Sequence, residues 1–349
     1  MYKGRGAQIQ VKNKFLLHEY VQEHLEGIDE YEEEAPRTKY IKIFPKTIVN
    51  KVESPDVGMA YSLNPYQGCE HGCIYCYARN THEYWGYNAG LDFERVILYK
   101  SSAPALLEKH FQNPRWNPRT IVLSGNTDCY QPIERKLKLT RSLLEIFLKY
   151  KHPVGMITKN VIINRDIDLL GPLADLNLLG IHFSLTSLDE KVRRKLEPRT
   201  ATAKQKLKTI EKLSTRGIPV NIMIGPVIPG LNDHEIPELM KAAASAGARG
   251  AGFTMVRLNG QIGEVFENWV KQAFPDRADK ILSQIKGAHG GKLSDSRFGQ
   301  RMRGEGRIVQ SIHRMFELSK AKYFRNIPHR PPLRTDLFVR TNKGQIGLF

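Results

Sequence analysis

The sequence predicts an α/β chain whose centre is a partial (β/α)6 barrel of the TIM type, with an extension at each end. Three observations predict it. Six short β-rich runs, each closing in polar residues, recur roughly every 25 to 40 residues after a longer first step. Segments with helical apolar spacing lie between successive runs from the second onward, and the alternation fades outside residues 59–262. Strand, helix and strand at that spacing make parallel βαβ units, and six of them form an open barrel rather than a closed eight-fold one.

Taken in order, residues 1–58 lack a sustained period and carry an acidic run, EYVQEHLEGIDEYEEE, so they read as an N-terminal extension. The six strands are expected in AYSLNPY (60–66), TIVLSGNTD (120–128), VGMITKN (154–160), LGIHFSLTS (179–187), VNIMIGPVIP (220–229) and GAGFTMVRLNG (250–260). LTRSLLEIFLKY, INRDIDLLGPLADL, TAKQKLKTIEKLSTRG and NDHEIPELMKAAASAG supply the helices between them. The third of these has end signals: Thr202 with Gln205 forms a capping box, and Gly217 stops the helix. Residues 263–349 form a basic C-terminal extension. Its segment 290–307 reads as a Gly- and Arg-rich loop, and 307–322 as an amphipathic helix with Ile308, Ile312, Met315 and Phe316 on one side. The tail beyond it is compatible with a strand against the barrel or with a free segment.

A chain of 349 residues, 41% of them hydrophobic, is long enough to bury a large core. No run of about 18 uncharged apolar residues occurs and MYKGRGAQIQVKNK has no signal-peptide core, so no membrane association and a cytoplasmic location are expected. The formal charge is +17, and the last 64 residues hold 14 basic against 4 acidic ones. Such an end suits nucleic acid, or is simply a solvated basic face. A P-loop, a Gly-x-Gly-x-x-Gly fingerprint and a His-Glu-x-x-His helix are all missing.

Chemistry concentrates in NPYQGCEHGCIYCYARN, which places Cys69, Cys73 and Cys76 directly after the first predicted strand, with Gly68 and Gly72 to curl the backbone. Only Cys129 remains elsewhere, so a disulfide framework is excluded. Three thiolates with His71 or His82 would make a zinc tetrahedron, although zinc knuckles usually offer two ligand pairs and no second pair is present. A nucleophilic cysteine needs one thiol and a base rather than three thiols. The third reading is a [4Fe–4S] cluster with one iron left without a protein ligand, and an open coordination position is the mark of a catalytic centre.

Cys69-x3-Cys73-x2-Cys76, with Tyr75 before the last cysteine and a βα series after it, resembles the signature loop of the radical S-adenosylmethionine (SAM) superfamily. More narrowly, NPYQGCEHGCIYCYAR, GNTDCYQPIE, SLTSLDEKVRRKLEPR and GPVIPGLND resemble the group that contains spore photoproduct lyase and DNA repair photolyase-like relatives. The resemblance implies that the open iron binds SAM through its amino and carboxylate groups. It implies further that one electron, from a donor such as flavodoxin or ferredoxin, breaks the sulfonium to give a 5′-deoxyadenosyl radical.

It also distributes roles over strand ends. Asn126, Thr127 and Asp128 stand where the superfamily usually has Gly-Gly-Glu for the SAM amino group, a departure that leaves the acceptor open between Thr127 and Asp128. Lys159 matches a lysine that contacts the SAM carboxylate in the lyases. Ser184, on the same strand face as His182 and Thr186, is assigned a hydrogen bond to SAM. Glu197 and Arg199 are candidates for the ribose or carboxylate, and Gly225 to Ile228 for an apolar wall against the adenine. Arg257 is a candidate for substrate or phosphate. The lyases use a further cysteine as hydrogen-atom donor, so Cys129 is expected either in that role, as a radical relay, or as a small buried apolar residue. Three functions stay open at this point: a radical enzyme acting on nucleic acid, one acting on a peptide or small molecule, and a non-enzymatic zinc-stabilised nucleic-acid-binding protein.

Overall fold

The computed structural model describes residues 4–16 and 37–340; the acidic run at 19–34 and the last nine residues lie outside them. Among the described residues ten strands form two sheets. They are β1 (Lys39–Lys42), β2 (Val49–Lys51), β3 (Tyr61–Leu63), β4 (Tyr66–Gln67), β5 (Val96–Tyr99), β6 (Ile121–Leu123), β7 (Val154–Thr158), β8 (Leu179–Ser184), β9 (Val220–Val227) and β10 (Ala251–Met255). The larger sheet has the order β10-β9-β8-β7-β6-β3-β2. Its six strands from β3 to β10 are parallel, β2 is antiparallel to β3, and the sheet does not close, so β10 and β2 are its two edges. The smaller sheet, β1-β5-β4, carries the cysteine loop.

The helices are the short α1 (Asp92–Arg95), α2 (Ala103–Gln112), the short α3 (Glu134–Leu137), α4 (Leu139–Lys149), α5 (Ile167–Asp175), α6 (Glu190–Leu196), α7 (Ala203–Thr215), α8 (Ile236–Ser245), α9 (Ile262–Ala273), α10 (Ala278–Ala288) and α11 (Arg307–Phe324). No helix among the described residues is long and apolar enough to cross a membrane. The capping box of α7 forms, Thr202 and Gln205 bonding each other's backbone, and Gly217 turns the chain out with φ 76°.

Strand alternation separates the two faces of the barrel. Val154, Met156, Ile181, Phe183, Ile222 and Ile224 are fully buried in one cluster with residues of α4, α5, α7 and α8. Their neighbours of opposite parity, Gly155, His182, Asn221 and Met223, stay partly accessible and line the interior, where small and polar residues leave room. α11 packs against α8 and, through Phe316, against Phe253 of β10 at 4.4 Å. Val309, Ile312 and Phe316 form its buried stripe. Ile308 is 41% exposed, contrary to the sequence expectation, because the buried stripe runs through Val309 instead.

Two further features concern the extensions, whose course the sequence left open. Within the N-terminal one, β2 pairs with the first barrel strand and β1 with β5. The C-terminal tail, from Pro328 to Arg340, crosses the N-terminal ends of the barrel strands as a strap. Arg249 donates to the Pro328 carbonyl, Arg330 to that of Leu179, Asn177 to that of Pro332, and Arg340 to that of Trp116. The Leu333 side chain reaches to 3.9 Å of the Cβ position of Gly180, and Phe338 stacks among Phe111, Tyr150 and His152.

Candidate active site

The cysteine loop leaves β4 and turns at Gly68 and Gly72, with φ 76° and 69°. Both turns also require close approach: a Cβ on Gly68 would stand 2.5 Å from the Val96 carbonyl oxygen, and one on Gly72 2.7 Å from Glu94 Oε2. Beneath the loop, Arg79 and Glu94 form a fully buried pair at 2.5 Å. Arg79 also donates to the carbonyls of Cys73, Ala89 and Gly90, and Glu94 accepts from the amides of Gly6 and Ala7. A buried ion pair earns its place only when the remaining donors and acceptors are satisfied, as they are here, and breaking such a pair costs about 3–5 kcal/mol.

Cys69, Cys73 and Cys76 are free thiols, the first two buried and the third half-buried. Burial pushes all three above the usual thiol range, and the Cys69 thiol is further raised by Asp128, Cys73 and Cys76. Thiols this desolvated ionise only against a strong local positive charge, which a metal centre provides. Among the described residues no three His, Cys, Asp or Glu side chains converge closely enough for a single ion. Of the imidazoles weighed as extra ligands, His71 is committed to polar partners and His82 is packed between aromatic rings. His71 bonds Asn160 through Nε2 at 3.0 Å and faces Asp128 through Nδ1 at 3.4 Å, while His82 lies against Tyr87 and Phe93.

The strand ends around the loop divide into groups already saturated and groups left open. Asn126 bonds Gln67 and Thr81, and Thr127 donates to the Tyr66 carbonyl. Asp128 accepts from Thr158 and from the amides of Tyr130 and Lys159, which ties the end of β6 to that of β7. Glu197 is fully buried and takes bonds from Tyr75, Thr186, Thr200 and Lys206, the last at 2.9 Å. Although burial works against its charge, Lys206 and Lys159 hold its carboxyl well below the usual carboxylate range. Arg199 turns to the Gly4 carbonyl and toward Glu70. It is not brought to the centre.

Lys159 and Ser184 differ from these. Burial disfavours the Lys159 cation, but Glu197, Cys73, Asp128 and Cys76 together raise its pKa above the ordinary lysine value. Its Nζ stands 3.9 Å from Glu197 Oε1 and 5.9 Å from the centre of the Tyr75 ring, with no closer partner among the described residues. The Ser184 hydroxyl, on a residue only 3% exposed, likewise makes no hydrogen bond among them. Ile228 packs in one cluster with Cys73, Tyr75 and Val256, which puts an apolar wall beside the loop.

Cys129 lies apart. It is buried with Leu63, Leu123, Leu143 and Leu144 on the helix side of the sheet, its thiol between the hydroxyls of Ser124 and Thr140. The sequence reading missed Arg79, Glu94 and Lys206. Lys206 had a signal, for it occupies the buried stripe of α7 with Ala203, Ile210 and Leu213, where a lysine needs a buried anion. Arg79 and Glu94 had none.

An open parallel barrel with a thiol-rich loop and a lysine free of hydrogen bonds at the C-terminal ends of its strands defines an enzyme of the barrel class, with its site where such enzymes carry it. The family model described as the radical SAM superfamily matches residues 63–243. The chain belongs to that superfamily, whose members use a [4Fe–4S] cluster and SAM. An uncharacterised protein of Mycobacterium tuberculosis is 30% identical over 238 residues, covering 67% of this chain and 70% of its own. One from Methanocaldococcus jannaschii is 28% identical over 200 residues, 57% of this chain and 71% of its own. Among solved structures, spore photoproduct lyase complexed with dinucleoside spore photoproduct superposes with a TM-score of 0.57 at 17% identity, over 82% of this chain and 79% of that one. At that identity the likeness concerns the fold.

Proposed function

We propose that Cys69, Cys73 and Cys76 hold a [4Fe–4S] cluster, that SAM binds beside it, and that the enzyme acts on a nucleic acid. When bound, cluster and SAM supply a 5′-deoxyadenosyl radical that takes a hydrogen atom from substrate. The observation that carries the reading is the pairing of three free thiols on one glycine-cradled loop with a cation, Lys159, that makes no hydrogen bond among the described residues and is braced only by Glu197 at 3.9 Å. Thiolates that each hold a different metal atom need not converge on one point, whereas tetrahedral zinc, with Zn–S of about 2.3 Å, needs them about 3.8 Å apart.

Within this reading Lys159 binds the methionine carboxylate, Ser184 donates to the same ligand, and Ile228 covers the adenine. Glu197 acts through Lys159 as a positioning residue, since it is saturated by four other groups and keeps the cation charged and in place. Tyr75 belongs to that brace rather than to the ligand. Asn126, Thr127 and Asp128 shape the rim and leave backbone groups for the amino end. Cys129 serves packing. A one-electron protein donor such as flavodoxin or ferredoxin completes the system. The basic C-terminal third and the lyase-like fold support a nucleic-acid substrate, the second by analogy only.

The test is anaerobic incubation with SAM and dithionite, followed by chromatography for 5′-deoxyadenosine and methionine, with and without oligonucleotides. Turnover that rises with nucleic acid supports the proposal. Zinc in oxygen-free protein, or full iron content after replacing each loop cysteine by Ala, refutes it.

A further inference from the structure

The lateral opening of the barrel, between its edges β10 and β2, is spanned by the loop that the sequence showed as Gly- and Arg-rich. Met302 accepts from the Met255 amide at the end of β10. From there the loop crosses to the turn that follows β2: Arg301 pairs with Asp56 and donates to Ser54 at 2.6 Å, and the Gly299 amide donates to Asp56 at 2.7 Å. Arg257, two residues beyond β10, lies beside this clasp. Its Nε is buried without an acceptor, and its guanidinium makes no hydrogen bond among the described residues. The carboxylates whose charge it feels are already taken, Asp56 by Arg301 and Asp295 by Arg297 at 2.6 Å. A buried guanidinium N–H left unpaired in this way costs free energy unless an acceptor meets it, and the rest of the half-buried group is open to an anion.

A second feature stands next to the first. Phe298, 61% exposed, presents a ring at the lip of the same loop, with the Arg301 guanidinium 4.2 Å from its centre. A large aromatic ring held open against an arginine, one step from an uncompensated cation, is the combination that binds single-stranded nucleic acid: phosphate on the cation, base on the ring.

We infer that Arg257 and Phe298 form a substrate subsite at the lateral opening, with Arg257 taking one phosphodiester and Phe298 stacking one base of a single-stranded or locally unpaired nucleic acid. This rests on the nucleic-acid reading above and gives it an address outside the SAM site. The Arg301–Asp56 clasp fixes the loop that holds the ring, so Arg301 is a positioning residue here.

The experiment is fluorescence anisotropy of a labelled oligothymidylate titrated with the holoprotein at several salt concentrations. Arg257→Gln should weaken binding and reduce the slope of log K against log salt by about 0.7, the value for one phosphate contact on a single strand. Arg257→Lys should restore part of both. Phe298→Ser should weaken binding about tenfold or more with the slope unchanged. Lys208→Gln, which removes an exposed charge from α7, outside the basic C-terminal region, should match wild type. Wild-type affinity and slope in both Arg257→Gln and Phe298→Ser overturn the subsite. If wild type binds no oligonucleotide, the nucleic-acid reading itself falls. The anion site is then read by inorganic phosphate alone: a rise in the thermal midpoint of wild type, absent in Arg257→Gln, upholds Arg257 as the anion ligand, and equal responses remove it.

Discussion

Acidification should loosen the floor of the barrel through His152. This residue is fully buried, stacks on Phe111 at 4.3 Å, meets Phe338 of the strap at 5.4 Å, and accepts from Trp116 through Nε2 while its Nδ1 donates to the Pro153 carbonyl. Burial, with a further push from His110, lowers its pKa from 6.5 to about 3. A depressed value means that the neutral form is the one that folds, so the stabilisation is whole above 6.5 and is lost as pH falls toward 3. At pH 5 the unfolded chain has taken up the proton and the folded chain has not. The loss relative to neutral pH is about 2 kcal/mol, at about 1.36 kcal/mol for each of the roughly 1.5 units below the unfolded pKa. The assay is urea unfolding under nitrogen near pH 7.5 and near pH 5, on wild type and on His152→Gln, which keeps an acceptor for Trp116 and cannot titrate. Other buried histidines contribute equally to both proteins, so the difference of differences isolates His152. The reasoning fails if the two proteins lose the same stability between the two pH values.

Three more outcomes are expected at the site. Lys159→Ala should retain its iron while its affinity for SAM, measured by equilibrium dialysis, falls at least about tenfold, as for loss of one charge-assisted hydrogen bond; unchanged affinity would remove Lys159 from the ligand. Gly68→Ala should bind little iron on anaerobic reconstitution although its circular dichroism stays native, since φ 76° and the Val96 carbonyl 2.5 Å from the new Cβ forbid the turn; normal loading would show that the loop adapts. Cys129→Ala should lower stability by about 1–2 kcal/mol as a small core cavity, with 5′-deoxyadenosine formation intact, and loss of that product would return Cys129 to the chemistry.

The barrel was legible because its signal is local and repeated. In Leu179–Ser184 or Val220–Val227 the alternation of residues already states which side meets helices and which lines the interior. β1 and the strap carried no such signal. β1 is exposed at all four residues and is held by its ladder to β5, and the strap is held by arginines on distant carbonyls; neither leaves a period in the sequence. In the site, residue type was legible but availability was not. Asp128 and Lys159 both looked suited to SAM. Only the partner strands reveal that the Asp128 oxygens are occupied by β7 and its following residue, while the Lys159 amine has just the longer ion pair to Glu197. The sixteen-residue acidic run at 19–34 lies outside the described residues and enters neither comparison.

The tail that crosses beneath the strands turns the interior into a pouch with a sealed bottom, Leu333 standing under Gly180 and Phe338 among the aromatic rings below. A long polymer therefore cannot be drawn through the protein like a thread through a bead. Whatever enters the interior does so from the side away from the strap or through the gap between β10 and β2, and has to leave the same way.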